Sequence, residues 1–193
     1  MLDIWTKVYA DRPNRLVRIV SGKAFNPASS ETILSYGDVA KSVDALAVTC
    51  YFGNTVYPRG TGAARPATLD DAFAQLDVAV DKTFNSIRQQ KALAQRFGKR
   101  LIAYEGGQHI LIRDDIATLA TLNRDPRMGK AYTRMLETWA HDIGDTIMLF
   151  HQVGPIGKFG AWGLEEYDDQ PLIEAPKKKA VLDFIAAHRP SKQ

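Results

Sequence analysis

Four continuous apolar runs, each followed by a helical pattern, constrain the fold of this chain more than any other feature. The runs cover residues 15–21, 45–52, 100–105 and 146–152. Strands that are apolar along their whole length are typical of a parallel sheet covered on both faces. Repeated β-then-α units predict an α/β fold, with an open doubly wound sheet and a barrel as the remaining alternatives.

Helical patterns fill the intervals between these runs. The spacing of apolar residues predicts helices at about 29–41, 69–97 and 126–143, and a last helix that begins at Pro176. Thr68 and Asp71 form a predicted capping pair for the second of these helices. The third helix is predicted to bury one stripe, namely Met128, Tyr132, Met135, Trp139 and Ile143. The last helix is predicted to turn four side chains inward, namely Val181, Phe184, Ile185 and His188. The first residues also form an amphipathic stripe with no N-cap before it, so we expect the chain to begin inside a structural element.

Composition narrows the class of protein. The chain has 193 residues with 45% hydrophobic content, which predicts one soluble globular domain over residues 1–193. A net charge of +3 argues against a nucleic-acid partner. The basic cluster 177–179 is interpreted as the solvated first turn of a helix. No run of about 18 apolar residues occurs, so we expect no membrane span. The single cysteine, Cys50, lies within an apolar run and is predicted to be a core thiol.

Polar residues follow each predicted strand where it ends. The first strand ends near Ser21, Lys23 and Asn26, the second near Tyr51, Phe52 and Asn54, the third near Glu105, Gln108 and His109, and the fourth near His151 and Gln152, with Trp162 beyond. Because the carboxyl ends of parallel strands meet at one edge, both a barrel and an open sheet bind ligands there. The sequence therefore predicts a site at this edge.

Glu105 is the central candidate. Its carboxylate follows an apolar run, where burial is costly unless donors or a substrate face it. We expect Gly106 and Gly107 to turn the backbone and leave space above the carboxylate. Such a glutamate can serve as nucleophile or general acid/base. The alternative is a glutamate that caps the next segment or pairs with a nearby arginine or lysine.

His109, His151 and Trp162 each have two interpretations. Two histidines and a glutamate can bind a metal, but their spacing matches no ligand motif. We therefore expect no metal or other cofactor, and favour hydrogen bonding of the histidines to a polar substrate. Trp162 is either a loop anchor or a platform on which a sugar ring stacks.

The segments "ALAVTCYFG", "AYEGGQH" and "GKFGAWGLEEYDDQ...APKKKA" together resemble the C-terminal half of large (β/α)8 proteins of the retaining glycoside hydrolase superfamily. More narrowly, they resemble a bacterial group labelled cellulose-binding or glycosidase-like. The resemblance spans nearly the whole chain, and its sharpest part is the Y-E-G-G strand end. It implies that the four βα units are strands five to eight of a TIM barrel. It also implies that Glu105 is the nucleophile, that Tyr51 hydrogen-bonds it, and that Trp162 stacks on the sugar. The further substrate-binding residues are then Gln108, His109, His151 and Gln152.

One element of that superfamily has no counterpart here. Its acid/base glutamate ends strand four, and no position of this chain matches it. A retaining mechanism needs two carboxyl groups about 5–5.5 Å apart. Glu165 and Glu166, in a loop at the rim, are the remaining candidates for the second carboxyl group.

Four units also make only half of a barrel, which takes about 200–250 residues. Its two open sheet edges predict pairing with a second copy or with a missing N-terminal half-barrel.

Three functions remain as alternatives: hydrolysis of a β-linked carbohydrate, carbohydrate binding without catalysis, and a barrel lyase or amidase with Glu105 as base beside His151. The compartment stays open, with secretion of a longer parent protein as one alternative.

Overall fold

Three of the four apolar runs form the sheet. In this computed structural model, which describes residues 2–58 and 64–189, strands β1 (Ile19–Ser21), β2 (Ala45–Phe52) and β3 (Arg100–Gln108) pair in parallel in the order β1-β2-β3. The predicted α/β class is confirmed. The predicted bounds of β2 are met, whereas β1 begins only at Ile19 and β3 continues to Gln108. β3 is longer than predicted because Gly106, Gly107 and Gln108 still pair with the end of β2.

The fourth apolar run lies beside β3 but does not form a regular strand. Ile147 makes an isolated parallel bridge to Ala103. The backbone N–H groups of Met148 and Phe150 donate to the carbonyls of Ala103 and Gly106, each at 3.0 Å. A regular ladder would use carbonyls two residues apart, but β3 carries an extra residue here. The irregularity in β3 therefore interrupts the fourth pairing, and within the described residues the sheet has three strands.

The described part of the chain contains seven α-helices. They are α1 (Leu2–Val8), α2 (Pro27–Ser35), α3 (Val39–Ser42), α4 (Leu69–Arg96), α5 (Ile116–Arg124), α6 (Pro126–Asp142) and α7 (Pro176–Ala187). The predicted helix at 29–41 is two helices, because Gly37 between them has φ of +49°. The predicted capping pair is confirmed: the Thr68 hydroxyl accepts from the Asp71 N–H, and the Asp71 carboxylate accepts from the Thr68 N–H, both at 3.1 Å. Among the described helices, none is long and apolar enough to cross a bilayer.

The main core lies between one face of the sheet and the helices. β2 contributes alternate residues to it, from Leu46 to Phe52, and Cys50 among them is a fully buried free thiol as predicted. α6 contributes its whole predicted stripe, at most 6% exposed: Met128, Tyr132, Met135, Trp139 and Ile143. The alternation of β2 and the helical period of α6 thus place the core.

The other face of the sheet is only partly covered. A small cluster of Ala45, Ala47 and Ile102 is buried there. Around it, four larger apolar side chains are between 39% and 47% exposed: Ile19, Tyr104, Met148 and Phe150. The prediction that both faces are covered therefore holds only at the centre of this face, where the small buried cluster contains no helix residue.

Helix α7 departs from its predicted orientation. Val181 and Phe184 are partly buried against the core, but Ile185 is 44% exposed and His188 lies at the exposed end. The fully buried residues of α7 are instead Lys177 and Ala180. The buried side of the helix therefore lies nearer its start than predicted. The interpretation of residues 177–179 as solvated is wrong at Lys177.

Candidate functional site

Glu105 lies on the partly covered face of the sheet because of an irregularity in β3. Up to Val48 the register is regular, with Ala103 as its partner, and then Thr49 pairs with Glu105, so that Tyr104 is an extra residue. Paired residues share a face of a sheet. Without the extra residue, Glu105 would align with Cys50 and enter the helix-packed core. The β-bulge therefore directs the carboxylate away from that core.

Tyr51 holds this carboxylate from the neighbouring strand. Its hydroxyl donates a hydrogen bond to Glu105 Oε2 at 3.0 Å. Burial raises the pKa of Tyr51, and the hydrogen bond to Glu105 raises it further. The phenol therefore keeps its proton and remains a donor to the carboxylate. A single oxygen of Glu105 is fixed by this contact, which orients the whole side chain.

A row of aromatic rings continues from this pair. The His109 ring lies 5.3 Å from the ring of Tyr51 and 5.6 Å from that of Trp162. Trp162 Nε1 donates to His109 Nδ1 at 3.4 Å. Phe150 packs edge-on against Trp162 at 6.2 Å and lies 4.8 Å from His151. The row gives the site an apolar surface with polar edges, which suits a ring-shaped ligand with hydroxyl groups.

His109 also lines a pocket. It has a volume of about 400 Å³ and is lined by Asn54, Thr55, Tyr57, Pro58, His109 and Leu111. Asn54 follows β2 and His109 follows β3, so two of the polar strand ends predicted from the sequence meet in one cavity.

The glycines after Glu105 have a different role from the predicted one. A Cβ on Gly106 would lie 3.0 Å from the carbonyl oxygen of Cys50. At Gly107, whose φ is +130°, a Cβ would lie 2.7 Å from the Tyr132 hydroxyl. That hydroxyl accepts a hydrogen bond from the N–H of Gln108 at 3.1 Å. The glycines therefore allow close packing of β3 against β2 and α6, and the expected space above the carboxylate does not explain them.

The structure gives Gln108 an internal role. It is fully buried, its amide nitrogen donates to the Ala161 carbonyl at 2.6 Å, and its amide oxygen accepts from the Ile110 N–H at 2.8 Å. Gln108 therefore joins the end of β3 to the loop before Trp162, and its predicted contact with a substrate stays a prediction.

His151 and Gln152 lie farther along the fourth run. The ring of His151 is half-buried and packs against Gly154, where a Cβ would come within 2.5 Å of its Nε2. Gln152 is exposed, and its amide nitrogen lies 3.5 Å from Glu165 Oε1. The ring of His151 reaches the aromatic row through Phe150, whereas the amide of Gln152 is directed toward Glu165.

The two glutamates considered as a second carboxyl group both have cationic partners. Glu165, whose side chain is 1% exposed, is paired with Lys178. Glu166 forms a two-point pair with Arg124 at 2.7 and 2.8 Å, and this arginine lowers the pKa of Glu166. The structure thus ties both carboxylates to helices α5 and α7 and gives neither a contact with Glu105.

Sequence reasoning missed Phe150 and Lys177. Phe150 belongs to an apolar run and was not distinguished from a core residue. Lys177 is 4% exposed, and its ammonium donates to Asn123 Oδ1 at 3.0 Å and to the Ala161 carbonyl at 2.7 Å. A signal was available, because Lys177, Ala180, Val181 and Phe184 follow the spacing of one helix face.

Among the described side chains, no group of three His, Cys, Asp or Glu residues could hold a metal ion. The chain matches no protein-family model and no curated protein.

Proposed function

We propose that this chain carries the nucleophile half of a retaining glycoside hydrolase site for β-linked carbohydrate, with Glu105 as the nucleophile. The observation that carries the proposal is the hydrogen bond from Tyr51 to Glu105 at the ends of adjacent parallel strands. This arrangement agrees with what the resemblance implies for these two positions. The aromatic row from Tyr51 through His109 to Trp162 adds a surface for a sugar ring.

The proposed chemistry follows from these contacts. An oxygen of Glu105 attacks the anomeric carbon, the glycosidic C–O bond breaks, and a glycosyl ester forms on the carboxylate. Tyr51 keeps the carboxylate oriented for this attack. The leaving oxygen needs a proton from a carboxylic acid on the other side of the sugar. In this proposal that acid belongs to another half of the barrel, since Glu165 and Glu166 are bound by Lys178 and Arg124.

The proposed architecture is four βα units equivalent to strands five to eight of a TIM barrel. Three observations support it. The strands follow each other in chain order, the run at 146–150 continues that order beside β3, and the helices that contact the sheet lie on one side. A doubly wound sheet reverses its order and places helices on both faces. The apolar residues on the partly covered face of the sheet are then the inner surface of an incomplete barrel.

Carbohydrate binding without turnover is the second candidate function. The ion pairs of Glu165 with Lys178 and of Glu166 with Arg124 favour it. Because both carboxylates are bound in this way, neither is available among the described residues as the acid catalyst opposite Glu105. Both candidates use the aromatic row, so ligand binding alone does not separate them. They differ in whether Glu105 becomes covalently glycosylated.

The deciding experiment uses a substrate that needs no acid catalyst. Dinitrophenyl β-glycosides of a fluorinated sugar have a leaving group that departs unprotonated, and the fluorine slows release of the glycosyl ester. We expect intact-mass spectrometry to show one added sugar, located on the peptide that contains Glu105. Glu105→Gln should abolish the adduct. Glu137→Gln, an exposed position on α6 whose side chain is 53% exposed, is the control and should label normally.

Tyr51→Phe should still label, but about tenfold more slowly, because the carboxylate loses its orienting donor. Absence of any adduct, together with measurable binding of β-linked oligosaccharides, would favour the binding protein. Absence of both would reject the proposed function.

A further inference from the structure

Lys177 is a buried lysine whose hydrogen-bonding partners are neutral groups. It lies in the first turn of α7, and it takes part in none of the ion pairs found within residues 2–58 and 64–189. Its two neighbours in the cluster behave differently: Lys178 pairs with Glu165, and the exposed Lys179 pairs with Asp183. Burying an ammonium without a carboxylate partner is costly, so a specific arrangement must offset this cost.

The partners of Lys177 are fixed by their own contacts. Asn123 is buried in α5, and its amide nitrogen donates to the Leu119 carbonyl at 2.9 Å, which leaves its oxygen directed at Lys177. The Ala161 carbonyl accepts from both Lys177 at 2.7 Å and Gln108 at 2.6 Å. A carbonyl oxygen has two lone pairs. Both are therefore used, one by α7 and one by the end of β3.

This carbonyl belongs to the residue before Trp162. The other side of the same segment is also restricted, because Gly160 has φ of +144° and the Trp162 ring covers its α-carbon. Ala161 itself is 1% exposed. Two donors thus hold the backbone at Ala161, and this fixes the direction in which Trp162 leaves the chain toward His109.

We infer that Lys177 is a positioning residue which, together with Gln108, holds the Ala161 carbonyl and so places the Trp162 ring against His109 at the candidate site. The inference rests on the proposed function only where it concerns carbohydrate. A network that locks supporting residues in this way is what a preorganised binding surface requires. Lys177 acts through Ala161 and does not itself contact the aromatic row.

The test compares Lys177→Met, which keeps most of the length of the side chain but removes the donor, with Lys179→Met as the matched control. Two measurements need no ligand. The first is acrylamide quenching of the Trp162 fluorescence. Because the chain has three tryptophans, the fluorescence of the matching protein with Trp162→Phe is subtracted from that of each variant. The NMR resonance of the His109 ring reports the ring current of Trp162. Lys177→Met should increase the quenching and shift the resonance, and Lys179→Met should change neither.

A third measurement is the Kd for a β-linked gluco-oligosaccharide, which Lys177→Met should raise about fivefold through loss of ordered stacking. If the unmodified protein binds no such oligosaccharide, the proposed function fails, while the two ligand-free measurements still test Lys177. A folded Lys177→Met protein with unchanged quenching and resonance would overturn the inference.

Lys177→Gln, which retains a donor, is the second variant if Lys177→Met does not fold. It should show smaller changes in the same direction. If neither variant folds, Lys177 is required for the fold itself, and the positioning role is rejected.

Discussion

At the scale of single residues, two ionisable side chains lie in partly or fully apolar surroundings and are accommodated differently. Glu105 is half-buried and keeps a donor from Tyr51. Lys177 is enclosed, and burial lowers its pKa to about 7. Glu166 is the charge that opposes this shift, and it is itself paired with Arg124. Burial therefore disfavours the charged form of Lys177. The carboxylate of Glu105, in contrast, accepts a hydrogen bond from the Tyr51 hydroxyl.

The stability of the protein should depend on pH through Lys177. Its pKa is about 7 in the folded chain and 10.5 for an ordinary lysine. Between these values the unfolded chain binds a proton that the folded chain does not, so the free energy of unfolding rises with pH from about 7 to about 10.5. In Lys177→Met, the increase in the free energy of unfolding between pH 7 and pH 10.5 should be smaller by about 2–5 kcal/mol.

Urea unfolding at a series of pH values measures this dependence. Lys179→Met is the control and should keep the slope of the unmodified protein, because Lys179 is exposed. Parallel curves for Lys177→Met and the unmodified protein would contradict the prediction.

Gly107 should tolerate substitution poorly. Its φ is +130°, and an added Cβ would meet the Tyr132 hydroxyl at 2.7 Å. Gly107→Ala should therefore lower the free energy of unfolding by about 2–4 kcal/mol, and Tyr132→Phe in the same chain should restore part of the loss. Gly37→Ala is the control, since Gly37 also has positive φ but nothing within 4 Å of the added carbon. Equal losses at both positions, measured by urea unfolding, would show that contact with Tyr132 is unimportant.

At the scale of elements, local signals and tertiary contacts act on different parts of the fold. α4 carries its own start signal at Thr68 and its own stop at Gly98, which has φ of +65°. β1 has no comparable local definition, and it is held by Arg18, whose backbone N–H and guanidinium both bind the Asp44 carboxylate next to β2. This arginine lowers the pKa of Asp44 to about 2. Short strands of this kind depend on their neighbours.

The capping box of α4 should contribute measurably to stability. Thr68→Ala removes the acceptor for the Asp71 N–H and should lower the free energy of unfolding by about 1 kcal/mol. Thr121→Ala is the control, because the Thr121 hydroxyl only donates back to the Ala117 carbonyl inside α5. Its expected change is within about 0.5 kcal/mol of zero. Urea unfolding would contradict the prediction if the two losses were equal.

At the scale of the whole molecule, the helices cover one face of the sheet and leave apolar groups on the other. β1 is an edge strand, and the run at 146–150 lies at the opposite edge. Open parallel edges with exposed backbone groups favour pairing with another chain. If the proposed half-barrel architecture is right, two copies placed strand to strand would bring eight strand-like runs together and cover the partly covered face of each.

Self-pairing, one of the two alternatives predicted from the open sheet edges, would give a particle of about twice the chain mass of 21.4 kDa. Size-exclusion chromatography with light scattering measures it. Ile19→Lys places a charge on β1 at the open face, where Ile19 is 41% exposed, and should yield the single-chain mass. Ile4→Lys, on α1 at 64% exposure, should leave the mass unchanged. A single-chain mass for the unmodified protein at all concentrations would reject self-pairing and favour a separate N-terminal half as the partner.

The sequence by itself determined the α/β class, the bounds of β2, the limits of α4 and the buried stripe of α6. These features depend on side-chain periodicity and on caps, which act within a few residues. Tertiary structure alone decided that the fourth run departs from a regular strand, that Gly107 makes room for Tyr132, and that Lys177 binds the Ala161 carbonyl. Each of these depends on a partner far along the chain: the bulge at Tyr104, the hydroxyl of α6, and the carbonyl of Ala161. Spacing within one segment carries no record of such partners, because the contact exists only after the chain has folded.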